Sequence, residues 1–237
     1  MKKWWCCIML FFRRLLIFLW KCIKELLFPS TCLVCGKQKQ DSLCAHCYQE
    51  LNKEAVFELK NVTDDRFYFD YHIYAFYYQG RIKKLLTAFK FQEKSYLYSI
   101  FAKILVKNKK ICGFLEKYDI IIPVPIHQKR KAQRGYNQSE LICKELVKRV
   151  KEKTQIQIET DCLIKIKHTK PQSSLNKQER MENVKDVYKL QNKEKIKDKK
   201  IILLDDIYTT GSTVNACAKL LKENGAECVL IVTIAKD

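Results

Sequence analysis

The 237-residue chain has few acidic residues, little glycine and no internal repeat or low-complexity segment. It contains 26 Asp and Glu against 45 Lys and Arg, a formal net charge of +19, with only 6 glycines and 4 prolines. A positive field of this size favours polyanionic partners, namely nucleic acid, anionic lipid or phosphorylated small molecules, although lysines spread over an inert surface would give the same number. With 47% hydrophobic residues, the chain can form one sizeable core and a small accessory module.

The positive charge is concentrated in one part of the sequence. Residues 127–200 hold 21 Lys and Arg but 10 Asp and Glu. An anionic ligand that approaches the segment following residue 200 would therefore meet a positive surface.

The chain also lacks an uninterrupted apolar run long enough to cross a membrane. The apolar N-terminal residues 1–29 are broken by Arg13 and Arg14, and no small-residue cleavage site follows them. The pattern predicts a helix over residues 4–28, ended by Pro29. We interpret it as a helix that packs on the body of the protein or lies on the surface of a membrane.

Beyond this segment, buried strands alternate with helices, which predicts an α/β fold with a parallel sheet. The predicted strands are 67–78, 118–124, 201–204 and 228–235, and the predicted helices are 44–51, 81–90, 96–108, 139–151 and 212–224. Residues 52–66 are expected to form a loop, and residues 161–190 a basic stretch of short strands or turns.

Four of the twelve cysteines have the spacing of a metal site. Cys32 and Cys35 form one CxxC pair and Cys44 and Cys47 form another, eight residues later, so residues 30–51 predict a closed, structural zinc module with four cysteine ligands. His46 is expected to be a bystander, and four free thiols are the alternative. The module would hold the N-terminus on the main domain or contact nucleic acid. The eight scattered cysteines indicate a reducing compartment, the cytosol.

Residues 201–213 carry the most specific signal, because an apolar strand ends in two carboxylates and then turns into a helix. The carboxylates can accept hydrogen bonds from vicinal ribose hydroxyls or hold hydrated Mg²⁺, and backbone N–H groups at the helix start suit a phosphate. Gly211 allows close backbone approach. The candidate binding residues are Asp205, Asp206, Thr209, Thr210, Gly211, Ser212 and Thr213.

Residues 201–213 resemble the phosphoribosyl-pyrophosphate (PRPP) motif of type I phosphoribosyltransferases. Four further segments resemble a narrower group, the ComF family of competence proteins. They are Phe28-Pro29 with Cys32-Leu33-Val34-Cys35-Gly36, residues 121–127, Arg134-Gly135-Tyr136-Asn137-Gln138, and Pro171-Gln172-Ser173-Ser174-Leu175 with Glu179-Arg180 and Asn183-Val184. The resemblance begins at about residue 28 and covers nearly the whole of the chain that follows.

The resemblance implies a type I phosphoribosyltransferase fold over residues 67–237, with the N-terminal zinc module preceding it. It implies a pyrophosphate loop over residues 125–138, in which Arg134 and Gly135 are the expected contacts. It also implies a hood over residues 165–190, in which Gln172 and Arg180 are the most ligand-like residues. Mg²⁺ would accompany PRPP. No general acid or base is identifiable from the sequence.

Three functions fit these features. The ComF resemblance implies a DNA-uptake factor that acts on incoming single-stranded DNA at the cytoplasmic side of the membrane, with the uptake machinery or the membrane surface as further partners. The second is a metabolic phosphoribosyltransferase acting on a base or amine; the end of the chain two residues after Ala235 leaves no later base-recognition segment and speaks against it. The third is a regulator that binds PRPP without turnover.

Overall fold

A computed structural model describes residues 31–38, 43–92, 94–167, 169 and 187–237. The chain divides into a small unit that ends at Leu51 and a larger unit over Asn52–Asp237. The predicted helix over residues 4–28 and the hood residues Gln172 and Arg180 lie outside the described residues. Among the residues that are described, none of the helices combines the length and apolar character needed to span a bilayer.

The described residues form seven α-helices and eight strands. The helices are α1 (Ala45–Lys53), α2 (Gly80–Phe91), α3 (Leu97–Leu105), α4 (Lys109–Lys117), α5 (Gln128–Arg134), α6 (Gln138–Val150) and α7 (Ser212–Glu223). The strands are β1 (Glu58–Asn61), β2 (Tyr71–Tyr77), β3 (Ile120–Pro123), β4 (Gln157–Ile158), β5 (Leu163–Lys165), β6 (Tyr188–Leu190), β7 (Lys200–Tyr208) and β8 (Cys228–Lys236).

Six strands form one sheet in the order β1-β2-β8-β7-β3-β4, and β5 and β6 form a separate antiparallel pair. Within the large sheet every neighbouring pair is parallel except β1 and β2. In the centre, Ile201 of β7 lies opposite Ile120 of β3 on one side and Val229 of β8 on the other. The predicted parallel α/β sheet is therefore confirmed.

Helices cover both faces of this sheet, which explains why its central strands are apolar along nearly their whole length. On one face, Val214, Cys217 and Leu221 of α7 belong to the same buried cluster as Ile122 and Leu203. On the other face, residues of α4, α6 and three strands surround a common small gap; they are Ile111, Phe114, Leu115, Ile121, Leu146, Ile202, Leu204 and Val232.

The path of the chain through the sheet creates a crevice between β3 and β7. From β3 the chain passes through α6 to β4 on one side, whereas from β7 it passes through α7 to β8 on the other side. Parallel α/β sheets bind ligands outside the carboxyl ends of strands where the connections diverge in this way. The segments that follow β3 and β7 are therefore the expected walls of a binding site.

Several predicted boundaries were wrong. Strand β7 runs to Tyr208 instead of ending at residue 204, so Asp205 and Asp206 lie within it. The predicted strand over 67–78 begins only at Tyr71. Helices α4 and α5 and strand β1 were missed: β1 lies in the segment expected to be a loop, and α5 in the expected pyrophosphate loop. Strand β1 and helix α5 bury little, whereas the missed helix α4 contributes Ile111 and Leu115 to the core.

Candidate functional site

Two adjacent carboxylates lie near the carboxyl end of β7. Asp206 is 6% exposed, and its backbone N–H donates to Oδ1 of Asp205 over 2.9 Å. Asp205 keeps a partly accessible side chain, yet burial by the surrounding protein, together with the charge of Asp206, raises the pKa of Asp205 to about 7. The pair therefore favours ligands that bring hydrogen-bond donors or positive charge.

Two residues from distant parts of the sequence hold this carboxylate pair in place. Lys90, near the end of α2, lies with Nζ 2.8 Å from Oδ1 of Asp206. Ser139, in the first turn of α6, donates its hydroxyl to Oδ1 of Asp205 over 3.2 Å. The elements before and after β3 thus fix the orientation of side chains on β7, and neither partner had been expected from the sequence.

The turn after β7 is shaped by hydroxyl groups and one glycine. The backbone N–H of Ser212 and its hydroxyl both lie against Oγ1 of Thr210, with the two hydroxyl oxygens 2.7 Å apart. Gly211 precedes α7 with φ of +76°, and a Cβ there would overlap the hydroxyl end of Tyr208. A hydrogen bond between Thr213 and Tyr188 links the start of α7 to β6. The result is a compact turn at a helix start, as the sequence predicted.

Helix α5 follows β3 and ends beside the same crevice. His127 caps its start by accepting from the backbone N–H of Lys129, and Gly135 ends it in the left-handed conformation with φ of +83°. In the described part of the chain, the role of Gly135 is to end helix α5. Its predicted contact with pyrophosphate stays a prediction.

The side chain of Arg134 is held by a short chain of hydrogen bonds. Its Nη1 donates to Oε1 of Gln138 over 2.7 Å, and Nε2 of Gln138 donates to the carbonyl of Phe89. The same carbonyl accepts from the hydroxyl of Tyr136, and the amide of Asn137 donates to the carbonyl of Val124 at the end of β3. Residues 134–138 therefore connect α2 and the end of β3 to the start of α6, and they fix the orientation of the Arg134 side chain.

Burial lowers the pKa of Arg134, while the charge of Asp206 acts in the opposite direction, so the guanidinium lies within electrostatic range of the carboxylate pair. Arg130 donates to the carbonyl of Thr169 over 3.3 Å, and Lys165 on β5 has a lowered pKa because of burial and the charge of Arg130. Lys131, by contrast, pairs with Glu140. Among the described cations of this basic stretch, Arg130 influences both Arg134 and Lys165.

The four predicted cysteines come together in the small unit. Their sulfur atoms all lie within 4.8 Å of one another, and the Sγ atoms of Cys35 and Cys44 are 3.8 Å apart. A tetrahedron with metal–sulfur bonds of about 2.3 Å has sulfur atoms about 3.8 Å apart. The set therefore fits a metal ion of zinc size, and His46 is exposed and lies outside it.

The surroundings of these sulfurs also suit thiolate ligands. The backbone N–H of Cys44 points at the sulfur of Cys32, and that of Cys47 points at the sulfur of Cys44. Although burial raises the pKa of Cys32, backbone N–H groups outweigh it and bring the value to about 6. Cys47 has its pKa raised to about 12 by burial and the neighbouring thiols. A bound metal cation would favour the deprotonated forms of these thiols and so oppose the effect of burial and of the neighbouring thiols.

The remaining predicted features have mixed outcomes. Val187 and Tyr188 are buried packing residues, as expected, and Cys143 and Cys217 are buried in α6 and α7. The aromatic segment over residues 67–78 contributes mainly to the core, although Tyr68 and Tyr77 stay exposed. None of the nine cysteines that the structure describes forms a disulfide.

The fold and the site define a class of protein. A parallel α/β sheet carries adjacent carboxylates and a hydroxyl-rich turn where two connections diverge, and residues 137–237 match the family model described as "Phosphoribosyl transferase domain". The chain therefore contains a phosphoribosyltransferase domain. It belongs to the ComF family: it is 30% identical over 210 residues to competence protein F of Haemophilus influenzae, a match that covers 86% of this chain and 90% of that protein.

Two further relatives are similar over a shorter span. The DNA utilization protein YhgH of Escherichia coli (strain K12) is 29% identical, with 65% of this chain and 66% of that protein covered. Competence protein ComFC of Streptococcus pneumoniae is 29% identical, with 70% of this chain and 68% of that protein covered.

Two solved structures with the same kind of domain show a distant likeness. A hypoxanthine phosphoribosyltransferase from Staphylococcus aureus is 13% identical, with a TM-score of 0.39 and coverage of 60% of this chain and 65% of that chain. A hypoxanthine phosphoribosyltransferase from Trypanosoma cruzi is 11% identical, with a TM-score of 0.33 and coverage of 60% and 63%.

Proposed function

We propose that the crevice between β3 and β7 binds the ribose 5-phosphate group of PRPP or of a related phosphorylated ribose. The observation that carries this proposal is the carboxylate pair of Asp205 and Asp206, directly followed by the turn into α7. The carboxylates accept hydrogen bonds from the vicinal ribose hydroxyls. Backbone N–H groups and hydroxyls of residues 209–213 receive the 5-phosphate at the positive end of the helix.

The diphosphate of PRPP would lie on the basic side of the crevice. Arg134 is aimed there by Gln138, and the hood residues Gln172 and Arg180 are proposed to complete this contact. The carboxylates and the diphosphate oxygens together offer the hard oxygen ligands that Mg²⁺ prefers. Lys90, which pairs with Asp206, would keep that carboxylate oriented when no ligand is bound.

The setting that we propose is DNA uptake in natural transformation, with single-stranded DNA as a partner on the cytoplasmic side of the membrane. Three relatives are named as competence or DNA utilization proteins, and they match 65% or more of this chain. The net charge of +19 supports attraction of a polyanion. A metabolic transferase is not favoured, since none of these relatives is named as one.

In the small unit, we propose that the four cysteines bind one zinc ion with a structural role. The number of sulfur ligands and their spacing support a closed tetrahedral site, without an open position for a substrate. Such a site would supply folding energy that so short a segment cannot obtain from burial.

A genetic test separates the proposed setting from metabolism. A strain that lacks this protein should lose transformation, grow normally without added nucleobases, and regain transformation with the intact gene. The variant with Asp205→Asn and Asp206→Asn should fail to restore it, whereas Asp64→Asn, which removes an exposed ion pair with Arg66, should succeed. Dependence on added nucleobases, with normal transformation, would contradict the proposed setting.

A further inference from the structure

Phe91, the last residue of α2, is the most exposed of the large apolar side chains described, at 67%. A single exposed apolar residue is ordinary on a protein surface and needs no explanation by itself. Phe91 differs through its neighbours. The guanidinium carbon of Arg134 lies 5.6 Å from the centre of its ring, and the preceding residue, Lys90, binds Asp206.

The end of α2 thus presents three consecutive side chains to three parts of the same site. Phe89 is fully buried and stacks on Tyr136, with ring centres 5.7 Å apart. Lys90 reaches the carboxylate pair, and Phe91 stands beside Arg134. Because the carbonyl of Phe89 accepts from Tyr136 and Gln138, the end of α2 is anchored. The ring of Phe91 contacts Arg134, which lies within electrostatic range of Asp206.

We propose that Phe91 is a stacking platform for a planar base attached to the ribose that Asp205 and Asp206 hold. This inference rests on the proposed function and adds a residue that selects the ligand. A ligand with a flat aromatic group, a pentose and a 5-phosphate would meet the ring of Phe91, the carboxylate pair and the turn before α7 in that order. Arg134 lies over one face of the ring, and because Phe91 is 67% exposed the opposite face is accessible to a base.

The chemistry fits a free ribonucleoside 5′-monophosphate, because the carboxylates accept from the vicinal ribose hydroxyls, which the 5′-terminal sugar of a DNA strand lacks. Stacking on an aromatic side chain tolerates any base, since every base has a flat π-face. The cation beside the ring adds attraction for the phosphate and for the π-system of the base. Stacking would not improve binding of ribose 5-phosphate, which has no base.

Calorimetry with ribose 5-phosphate and AMP, both in the presence of Mg²⁺, tests this inference. The intact protein should bind AMP more tightly than ribose 5-phosphate. Phe91→Ala should weaken AMP binding by roughly tenfold, as expected for one lost stacked base. It should leave binding of ribose 5-phosphate unchanged, and Phe91→Trp should retain AMP binding. The matched control is Tyr68→Ala, which removes another exposed aromatic ring beside a cation, here Lys219 at 5.3 Å.

The outcomes distinguish the stacking role of Phe91 from the proposed binding of a phosphorylated ribose. If ribose 5-phosphate binds and Phe91→Ala leaves AMP binding unchanged, the stacking role is refuted while the proposed function stands. If neither compound binds the intact protein, both are refuted. A 5′-phosphorylated DNA oligonucleotide, whose terminal sugar has no free hydroxyl, should not compete with AMP, and competition by it would contradict the contact between the ribose hydroxyls and the carboxylates. AMP binding without such competition would identify the free nucleotide.

Discussion

At the scale of single residues, the site depends on side chains whose roles are set by their contacts. Tyr208 is an example, because its ring stacks on His72, with centres 4.2 Å apart, and its hydroxyl end lies over Gly211. The turn that we propose to bind phosphate is therefore packed against the core through one aromatic ring. Two residues in contact with Tyr208 give direct tests of this packing.

Gly211→Ala should destabilise the protein. The left-handed backbone at φ of +76° costs about 1–2 kcal/mol for a residue with a Cβ, and the overlap with Tyr208 adds to that cost. Urea unfolding would measure the change. The matched control is Gly113→Ala in the interior of α4, where a Cβ meets no atom within 4 Å and helix propensity should raise stability by about 0.5–1 kcal/mol. Equal stabilities of the two variants would argue against this account of the turn.

The second test uses the pH dependence of stability. Burial lowers the pKa of His72 from 6.5 to about 3, with help from the charges of Lys236 and Lys60 and against the smaller effect of Glu58. The imidazole lies 3.0 Å from the hydroxyl of Thr233 and stays neutral in the folded protein. As the pH falls below 6.5, only the unfolded chain takes up the proton, so stability should fall by about 1.4 kcal/mol per pH unit until about pH 3.

His72→Gln should remove this component, so that its stability declines less steeply between pH 6 and pH 4 than that of the intact protein. Unfolding in urea at several pH values would give both slopes. Magnetic resonance of the His72 ring would give its pKa independently. A ring that becomes protonated near pH 6 in the folded protein would contradict the assignment.

At the scale of elements, the sequence predicted those structures that are buried on both faces. Strands β3, β7 and β8 are apolar along nearly their whole length because helices cover both sides of the sheet. Strand β1 was missed because it is an edge strand with little burial and no alternating pattern. Helix α5 was missed because none of its residues is buried, so that no helical period is visible.

The parts of the site that could be predicted are those with a short-range sequence pattern. Asp205 and Asp206 are followed within a few residues by the turn and helix start, so the local pattern was sufficient. Lys90 and Ser139 reach the same carboxylates from α2 and α6, and no local pattern marks them. The cysteine cluster was predicted in full, because its two pairs follow a short-range spacing rule.

The small unit provides a prediction at this scale. Elemental analysis of the intact protein should find about one zinc per chain. Cys44→Ser should lower the zinc content, since it removes one of four closely spaced sulfurs. Cys143→Ala is the matched control: it removes a buried thiol of α6 that lies outside the cluster, and it should keep the metal. Protein that contains no zinc and takes up none on addition would demote the cluster to free thiols.

At the scale of the whole molecule, charge and topology act together. The diverging connections of β3 and β7 create one crevice, and the most basic stretch of the sequence supplies Arg130, Arg134 and Lys165 beside it. Local ion pairs reduce this field, as with Lys131 and Glu140, but the molecule keeps a net charge of +19. Long-range attraction of polyanions depends on this net charge.

Binding of single-stranded DNA should therefore depend steeply on salt. Each contacted phosphate contributes a slope of about −0.7 in a plot of log affinity against log salt concentration. With several contacts, affinity should fall by more than about tenfold between roughly 50 and 200 mM salt. Fluorescence anisotropy with a labelled oligonucleotide would measure the slope. An absence of binding even at low salt would exclude DNA as a direct partner.

The central claim is that Asp205 and Asp206 hold a phosphorylated ribose, and calorimetric titration of PRPP in the presence of Mg²⁺ tests it most directly. The intact protein should bind, and so should Asp70→Asn, a control that removes a different carboxylate paired with a lysine, Lys222. The variant with Asp205→Asn and Asp206→Asn, shown by circular dichroism to be folded, should give no measurable heat of binding. Unchanged PRPP affinity in that folded double variant would contradict the account.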